Sequence, residues 1–571
     1  MNIKSYCLLV VIAALFNSCG LLGIHLKVHN PRNAAALPKF DQETVLLGEL
    51  TPIRSNFDVN FYGLDIEISS ARKTVGGWVE IGATALADID SIQIGLDQPL
   101  LLDEIHWQSR NGQQLYAKRK FRAVYIDLPG KIRKGEHFSI HVKYHGKPVE
   151  ARRPPWAGGL VWKKDKQRND HIGVACESEG ASLWFPCKDH TSDEADSTSL
   201  RFSIPDNGLM VVSNGKYISS ETRNGLTSYH WKVSYPINTY NITFYVGDFV
   251  KVSDKYTGIN GKELELNHYV LKPNEARARR HFQQVKTHIR IYEELYGEYC
   301  WYNDGFKLVE SPFEGMEHQS AIAYGNGYGN DLNDRDDYII LHETGHEWFG
   351  NAITAADLAD VWLQEGITTY GEALYLEKKY GRQTALDHLL NYRITIKNKR
   401  PVVGVFGRRH FDYHDGDVYV KGAWIMHSLR NQLKDDSLFF KIIRTFFEEN
   451  KRKITDSKTF IATVNRITGK DYQWFFDQYL YRNKVPFLES HVSEDGYFYY
   501  RWTAVSDNFN QFTVPVRNSL SRTSIEITPT TKVQRIKLPE KFIREHTYIY
   551  DLEGLFGTKE NKKLPEMYQQ H

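Results

Sequence analysis

The sequence predicts a multidomain α+β chain, and three shifts in residue pattern along it carry that prediction. From about residue 44 to 250, short apolar runs alternate with Gly, Pro and Asp turns; from about 273 to 481, apolar residues recur at helical spacing; from 485, strands return. With 571 residues and 41% hydrophobic content, the chain carries enough apolar material for several cores.

The N-terminal residues read as a leader. One lysine precedes the apolar run from Cys7 to Phe16, and Asn17-Ser18-Cys19-Gly20 follow. A short basic end, an apolar core too short to span as a stable helix, and small residues after it describe a secretory signal over 1–18. Cys19 resembles the acylated cysteine of bacterial lipoproteins, although Phe16-Asn17-Ser18 is a loose form of their small-residue box. Simple cleavage and a retained anchor stay open beside lipidation. The expectation is an exported protein, lipid-anchored at a bacterial envelope membrane, in the periplasm or at the cell surface.

Residues 19–43, polar and proline-containing, read as a tether. Residues 44–250 form an all-β domain on runs such as Asp58-Val59-Asn60-Phe61-Tyr62 and Phe138-Ser139-Ile140-His141-Val142. Pro273 opens a helical pattern through Glu298, and a strand-like piece, Phe306-Lys307-Leu308-Val309, follows. Helices are expected near 336–351, 361–380, 384–396, 418–433, 437–450, 457–468 and 472–481, giving a mixed α/β domain over 251–484. Residues 485–556 read as a small β-sandwich, and 557–571 as a polar, mobile tail.

Composition excludes some classes of partner. The 72 basic and 70 acidic residues leave a net charge of +2. That makes no electrostatic case for nucleic acid, or for a membrane beyond an N-terminal lipid. The five cysteines show no framework spacing, and Cys176–Cys187 is at most one bridge.

Chemistry concentrates at His342-Glu343-Thr344-Gly345-His346. Histidines four apart share one helix face and can reach one metal ion, and the intervening Glu343 can deprotonate a water beside it. Alone, this HExxH pattern arises by chance in roughly one such chain in twenty. A catalytic zinc needs a third ligand and an open position. Glu365 lies nineteen residues past His346 on the next expected helix, so an antiparallel return brings its carboxylate to the pair. The rival zinc pattern needs glycine and histidine where Phe349 and Ala352 stand. Glu372, two turns along the same face as Glu365, is placed to orient a ligand histidine through its second ring nitrogen.

Residues 341–351 together with Trp362-Leu363-Gln364-Glu365-Gly366 resemble the gluzincin aminopeptidase family, that of aminopeptidase N and leukotriene A hydrolase. Three further stretches are similar to it. Gly315-Met316-Glu317-His318 resembles the GxMEN exopeptidase motif, Val418-Tyr419-Val420-Lys421-Gly422-Ala423 the catalytic-tyrosine motif, and Trp184-Phe185-Pro186-Cys187-Lys188-Asp189 the FPCFDEP block of the N-terminal domain. The resemblance runs from about 45 to 485. It implies a β saddle, a thermolysin-like catalytic domain and a small β-sandwich, without the large helical fourth domain many members carry.

It also implies one Zn2+ per chain on His342, His346 and Glu365, with Glu343 as general base and Tyr419 as donor to the oxyanion. Glu317, with Gly315 and Met316, would bind the substrate's free α-ammonium. Glu177 aligns with a glutamine of the first specificity pocket. The expected activity is release of N-terminal residues from peptides. A peptide-binding protein with weak or lost catalysis, and epoxide opening at the same site, are the alternatives. His318 departs from the family's asparagine, which puts fine geometry and substrate range in question. Arg408-Arg409-His410 reads as a solvated loop.

Overall fold

A computed structural model describes residues 30, 38–410, 415–520, 523–540, 542 and 546–569. The leader, Cys19 and most of the tether lie outside the described residues.

Two short helices, Gln42–Gly48 and Pro52–Ser55, precede the first strand, where the sequence suggested tether and then strands. Their local chemistry explains them. The Asp41 carboxylate accepts from Thr44 N at 2.7 Å as an N-cap, and Pro52 follows Thr51 at a helix start. Arg54, 2% exposed, then donates to the carbonyls of Leu46, Leu47, Glu49 and Asp189, fastening this segment to the β domain.

The N-terminal domain is built on a seven-stranded sheet whose central strand, Phe57–Ser69, pairs parallel to Ser197–Pro205 and antiparallel to Thr74–Ala85. A four-stranded, a three-stranded and a two-stranded sheet accompany it. Its core closes on Trp184, 0% exposed, with the rings of Phe185, Phe202 and Phe244 at 4.5, 6.3 and 5.3 Å. Such ring pairs add about 0.5–1.5 kcal/mol each beyond area burial. Cys176 and Cys187 are buried free thiols, so the bridge held open from the sequence does not form.

The catalytic domain opens with strand Phe249–Thr257, which runs through the boundary drawn at 250. It pairs with Glu263–Leu271 at the edge of a five-stranded sheet that continues through Leu308–Glu310 and Ile322–Tyr324 to Gly315–Met316. The helix expected across 273–298 is two helices, Glu275–His281 and Gln284–Tyr296. The break turns Phe282 into a ring cluster, 5.1 Å from Tyr324 and 5.5 Å from Tyr328. Helix Tyr338–Gly345 packs on this sheet and on Trp362–Tyr380, which in turn packs with Arg382–Arg393 and Asp417–Leu433.

The C-terminal region packs a four-stranded sheet with a three-stranded one, and shares one continuous hydrophobic core with the catalytic domain. The expected mobile tail is part of it. Gly557–Glu560 pairs parallel to Phe487–Val492, and helix Leu564–Gln569 follows with Leu564 fully buried. Buried Leu555 and Phe556 lead the chain onto that sheet, which a polarity count of the last residues cannot register.

The Arg408–His410 stretch is also not a solvated loop. Arg409 pairs with Asp189 at 3.1 Å, with side chains 6% and 2% exposed, and its backbone N–H donates to Thr44 O. It stitches the catalytic domain to the β domain. Among the described residues no helix is long and apolar enough to cross a membrane.

Candidate metal centre and active site

Asp337 N-caps the helix Tyr338–Gly345, its carboxylate accepting from Ile340 N. The helical turn continues past Gly345, so His342 and His346 project from one face. Their Nε2 atoms are 3.1 Å apart. Glu365 Oε2 lies 3.3 Å from His346 Nε2 and 3.7 Å from His342 Nε2.

What brings Glu365 here is a contact between helix backbones. A Cβ at Gly366 would stand 2.8 Å from Gly422 Cα, and one at Gly422 2.7 Å from Gly366 Cα. Helices Trp362–Tyr380 and Asp417–Leu433 therefore touch through two glycines. Glu365, directly before Gly366, and Tyr419, three residues before Gly422, line the same cleft.

The ring protons of the two histidines are spoken for. His342 Nδ1 donates to Glu372 Oε1 at 2.7 Å, and His346 Nδ1 to Phe349 O at 2.8 Å. In the neutral imidazoles both Nε2 atoms are then lone pairs. Together with Glu365 Oε2, buried and without a hydrogen bond, three lone pairs converge on one point. That convergence is repulsive unless a cation sits at its centre. Bonds of about 2.0–2.1 Å at tetrahedral angles separate donor atoms by about 3.3 Å, matching the spacings here. The donor set fits one zinc ion, and it is the single such cluster among the described residues. Protonation follows the same field. Burial works against a charge on His346 and on Glu365. Even so, Glu365 draws His346 up to about 9 and the imidazoles hold Glu365 down to about 2, so the site favours a positive charge at this point, whether a proton on His346 Nε2 or a metal ion supplies it.

Glu372 is fully buried. Besides His342, it accepts from His388 Nε2 at 2.9 Å and Tyr392 Oη at 2.6 Å. Burial alone would raise it, but these donors bring its carboxyl down to about 2, an ionised acceptor for the ligand ring. His388 and Tyr392, on helix Arg382–Arg393, went unnoticed in the sequence, where only helical spacing marks them. Tyr338, stacked 5.5 Å from His342, is a second omission. It stands one turn before that histidine, so helix periodicity points to it.

The other expected residues line the same cleft: Glu343, Gly315, Met316, Glu317, Glu177 and Tyr419. Burial pushes the Glu343 carboxyl up to about 7, with the histidines opposing and Glu317 reinforcing. Gly315 has to be small, because a Cβ there would stand 2.6 Å from Glu343 Oε1 and 2.8 Å from Ile339 Cγ2. Glu317 is 3% exposed with Oε1 unpartnered, and burial raises its carboxyl, His346 opposing. Tyr419 lies 6.3 Å, ring to ring, from His342. His318 does not line the cleft. It is fully buried with Nδ1 2.6 Å from Tyr245 Oη, and burial holds it near 3, hence neutral.

The family model described as the Peptidase M1 N-terminal domain matches residues 58–241, and the Peptidase family M1 domain matches 283–479. Aminopeptidase N of Haemophilus influenzae is 23% identical over 399 residues, covering 63% of this chain and 43% of that protein. Aminopeptidase B of Rattus norvegicus is 25% identical over 400 residues, covering 67% and 56%. The chain spans about half the length of these curated relatives. In fold it is similar to the M1 zinc metallopeptidase from Deinococcus radiodurans, with a TM-score of 0.65 at 20% identity over 77% of this chain and 96% of that one. A mutant of that peptidase bound to a Tyr-Ser-Ala substrate gives 0.63 over 75% and 95%. With both domain models matched in order and the metal motif inside the second, the chain belongs to peptidase family M1.

Proposed function

We propose that this chain is a zinc aminopeptidase, releasing residues one at a time from peptides with a free N-terminus. Glu317 carries the reading. Its carboxylate is buried, its Oε1 has no hydrogen-bond partner, and it opens on the cleft that holds His342, His346 and Glu365. An isolated buried carboxylate is costly until a cation meets it, and the α-ammonium is the cation every free peptide N-terminus carries. The Tyr-Ser-Ala complex of the structural relative supports a peptide as the occupant.

His342, His346 and Glu365 would hold one zinc ion, which when bound would supply Lewis acidity, bringing a water's pKa toward neutrality and polarising a carbonyl. Glu317 anchors the ammonium, so the first peptide bond, and no later one, lies beside the ligand set. Glu343, with its carboxyl near 7, accepts the proton as water adds to that carbonyl carbon, and passes it to the leaving amine. Tyr419 donates a hydrogen bond to the oxyanion. Glu372 fixes the His342 ring, and Gly315 and Met316 form the wall beneath the first residue. Glu177 places a second carboxylate in the cleft, beside the ammonium or toward a basic side chain.

The test is chromophore release from an unblocked aminoacyl amide and from its N-acetylated counterpart. Release from the first alone is expected. Equal rates on both would remove the exopeptidase reading, and no release from either with zinc bound would point to a peptide-binding protein. The leader supports a second proposal, export with a lipid on Cys19. Replacing Cys19 by serine should then move the chain out of the membrane fraction, and an unchanged distribution would end that proposal.

A further inference from the structure

The residues that bind metal and the residue that binds the amine sit on separate pieces of chain. A peptide's α-nitrogen and first carbonyl carbon belong to one residue, two bonds apart, so the two sites must keep a fixed separation. Glu317 is carried by a tight connection, Glu317-His318-Gln319-Ser320-Ala321, between strands Gly315–Met316 and Ile322–Tyr324. Ser320 has φ +57°, a left-handed conformation that a non-glycine residue keeps only when its surroundings hold it.

Buried groups hold every polar atom of Ser320. Its N–H donates to Glu347 Oε1 at 2.8 Å, its Oγ accepts from Gly215 N at 2.8 Å, and its carbonyl accepts from Lys307 Nζ at 2.6 Å. At the other end of the connection, Asn351 Nδ2 donates to Glu317 O at 2.8 Å. Asn351 Oδ1 in turn accepts from Asn241 Nδ2 at 2.8 Å, and its backbone N–H donates to His346 O at 2.9 Å. Glu347 directly follows the ligand His346. It is 1% exposed, Asn351 is 2% exposed, and the two side chains meet at 3.4 Å. Two struts therefore run from the ligand residue to the two ends of the connection bearing Glu317.

We infer that Glu347 and Asn351 are positioning residues that set the distance between the metal ligands and the Glu317 carboxylate, and so select for a free N-terminus. This rests on the aminopeptidase reading. Glu347 acts here as a hydrogen-bond acceptor for Ser320, so glutamine can replace it and alanine cannot. A shift of about 1 Å in Glu317 is enough to stop one substrate engaging both sites.

The test uses the zinc-loaded full chain and two probes, leucine hydroxamate and its des-amino analogue 4-methylpentanohydroxamate. Their affinity ratio reports amine anchoring whether or not a variant turns over, and bound zinc is measured alongside. In the wild type the amine should tighten binding about tenfold or more. In Glu347→Ala that preference should fall to about threefold or less, with des-amino affinity and zinc content unchanged. Glu347→Gln should keep the wild-type ratio. Asn351→Ala should lose it, and carries the test if Glu347→Ala does not fold. A wild type without amine preference would remove the aminopeptidase reading itself. A preference retained in the alanine variants, or both probes weakened equally, would overturn the positioning role alone.

Discussion

The cleft around His342 and the seam around Asp189 both bury charge, but they do so in opposite ways. At the seam the charges match. Asp189 takes Arg409 at 3.1 Å and hydrogen bonds from Ser182 N and Oγ, and Arg54 caps its carbonyl. Burial opposes the ion there, yet Arg409 still keeps the Asp189 carboxyl below its ordinary value. In the cleft the charges conflict. Glu317, Glu343 and Glu365 crowd together, with burial raising the first two and Glu365 Oε2 unpartnered. A matched cluster holds two domains together; a cluster of like charges waits for ligands.

The largest effect that would sharpen this contrast is on turnover. Glu343→Gln should leave zinc bound and lower kcat by about 10³-fold or more on an unblocked aminoacyl amide, since it removes the proton acceptor and no metal ligand. Surviving activity would refute its role as base. The seam should respond in the other currency. Arg409→Met strands Asp189 in a buried site, and a loss of about 3–5 kcal/mol is expected in urea unfolding. An unchanged midpoint would mean the seam carries no net stability.

Smaller effects probe the supports. Glu372→Ala frees the His342 ring and removes an ionised neighbour from the site, so zinc affinity should weaken about 10- to 100-fold in a competition titration with a chelator. Equal affinity would show that Glu372 plays no part in holding the ligand. The pH response should come from outside the cleft. Burial holds His190 and His268 near 3, and in each, Nδ1 accepts a backbone N–H, from Ser192 and Leu308. Their folded pKa values lie below the unfolded value of about 6.5. Stability is therefore full above that value and falls as pH drops toward 3. At pH 5 the loss is on the order of 2 kcal/mol per histidine. Burial raises the carboxyls of Asp193, Glu194 and Glu347 to about 6–7, and these work in the opposite sense over the same range, so the check is a variant: His268→Gln should lose about 2 kcal/mol less than the wild type between pH 7 and pH 5, and an equal loss in both would contradict this.

How much of this was legible in sequence follows the same divide. His342, Glu343, His346 and Glu365 could be read because helix periodicity and one antiparallel return fix their proximity. Gly366 and Gly422 lie inside recognisable motifs, although the contact between them does not show. His388 and Tyr392 were invisible, because their meeting with Glu372 depends on how a third helix packs. Arg409 looked like a surface charge because its partner Asp189 is 220 residues away. The strand Gly557–Glu560 looked like a tail because its pairing partner, Phe487–Val492, lies 70 residues earlier, Phe487 opposite Gly557. Local spacing shows which residues can do chemistry, and long-range pairing decides which charges are already satisfied.

The most direct test of the contrast is zinc titration of the metal-stripped chain, followed by bound metal and by activity on an unblocked aminoacyl amide. One zinc per chain should bind as activity returns, and Glu365→Ala should lose both together while the fold persists. Activity that returns without zinc, or full zinc binding by the Glu365→Ala chain, would contradict the assignment of the three converging lone pairs to a metal.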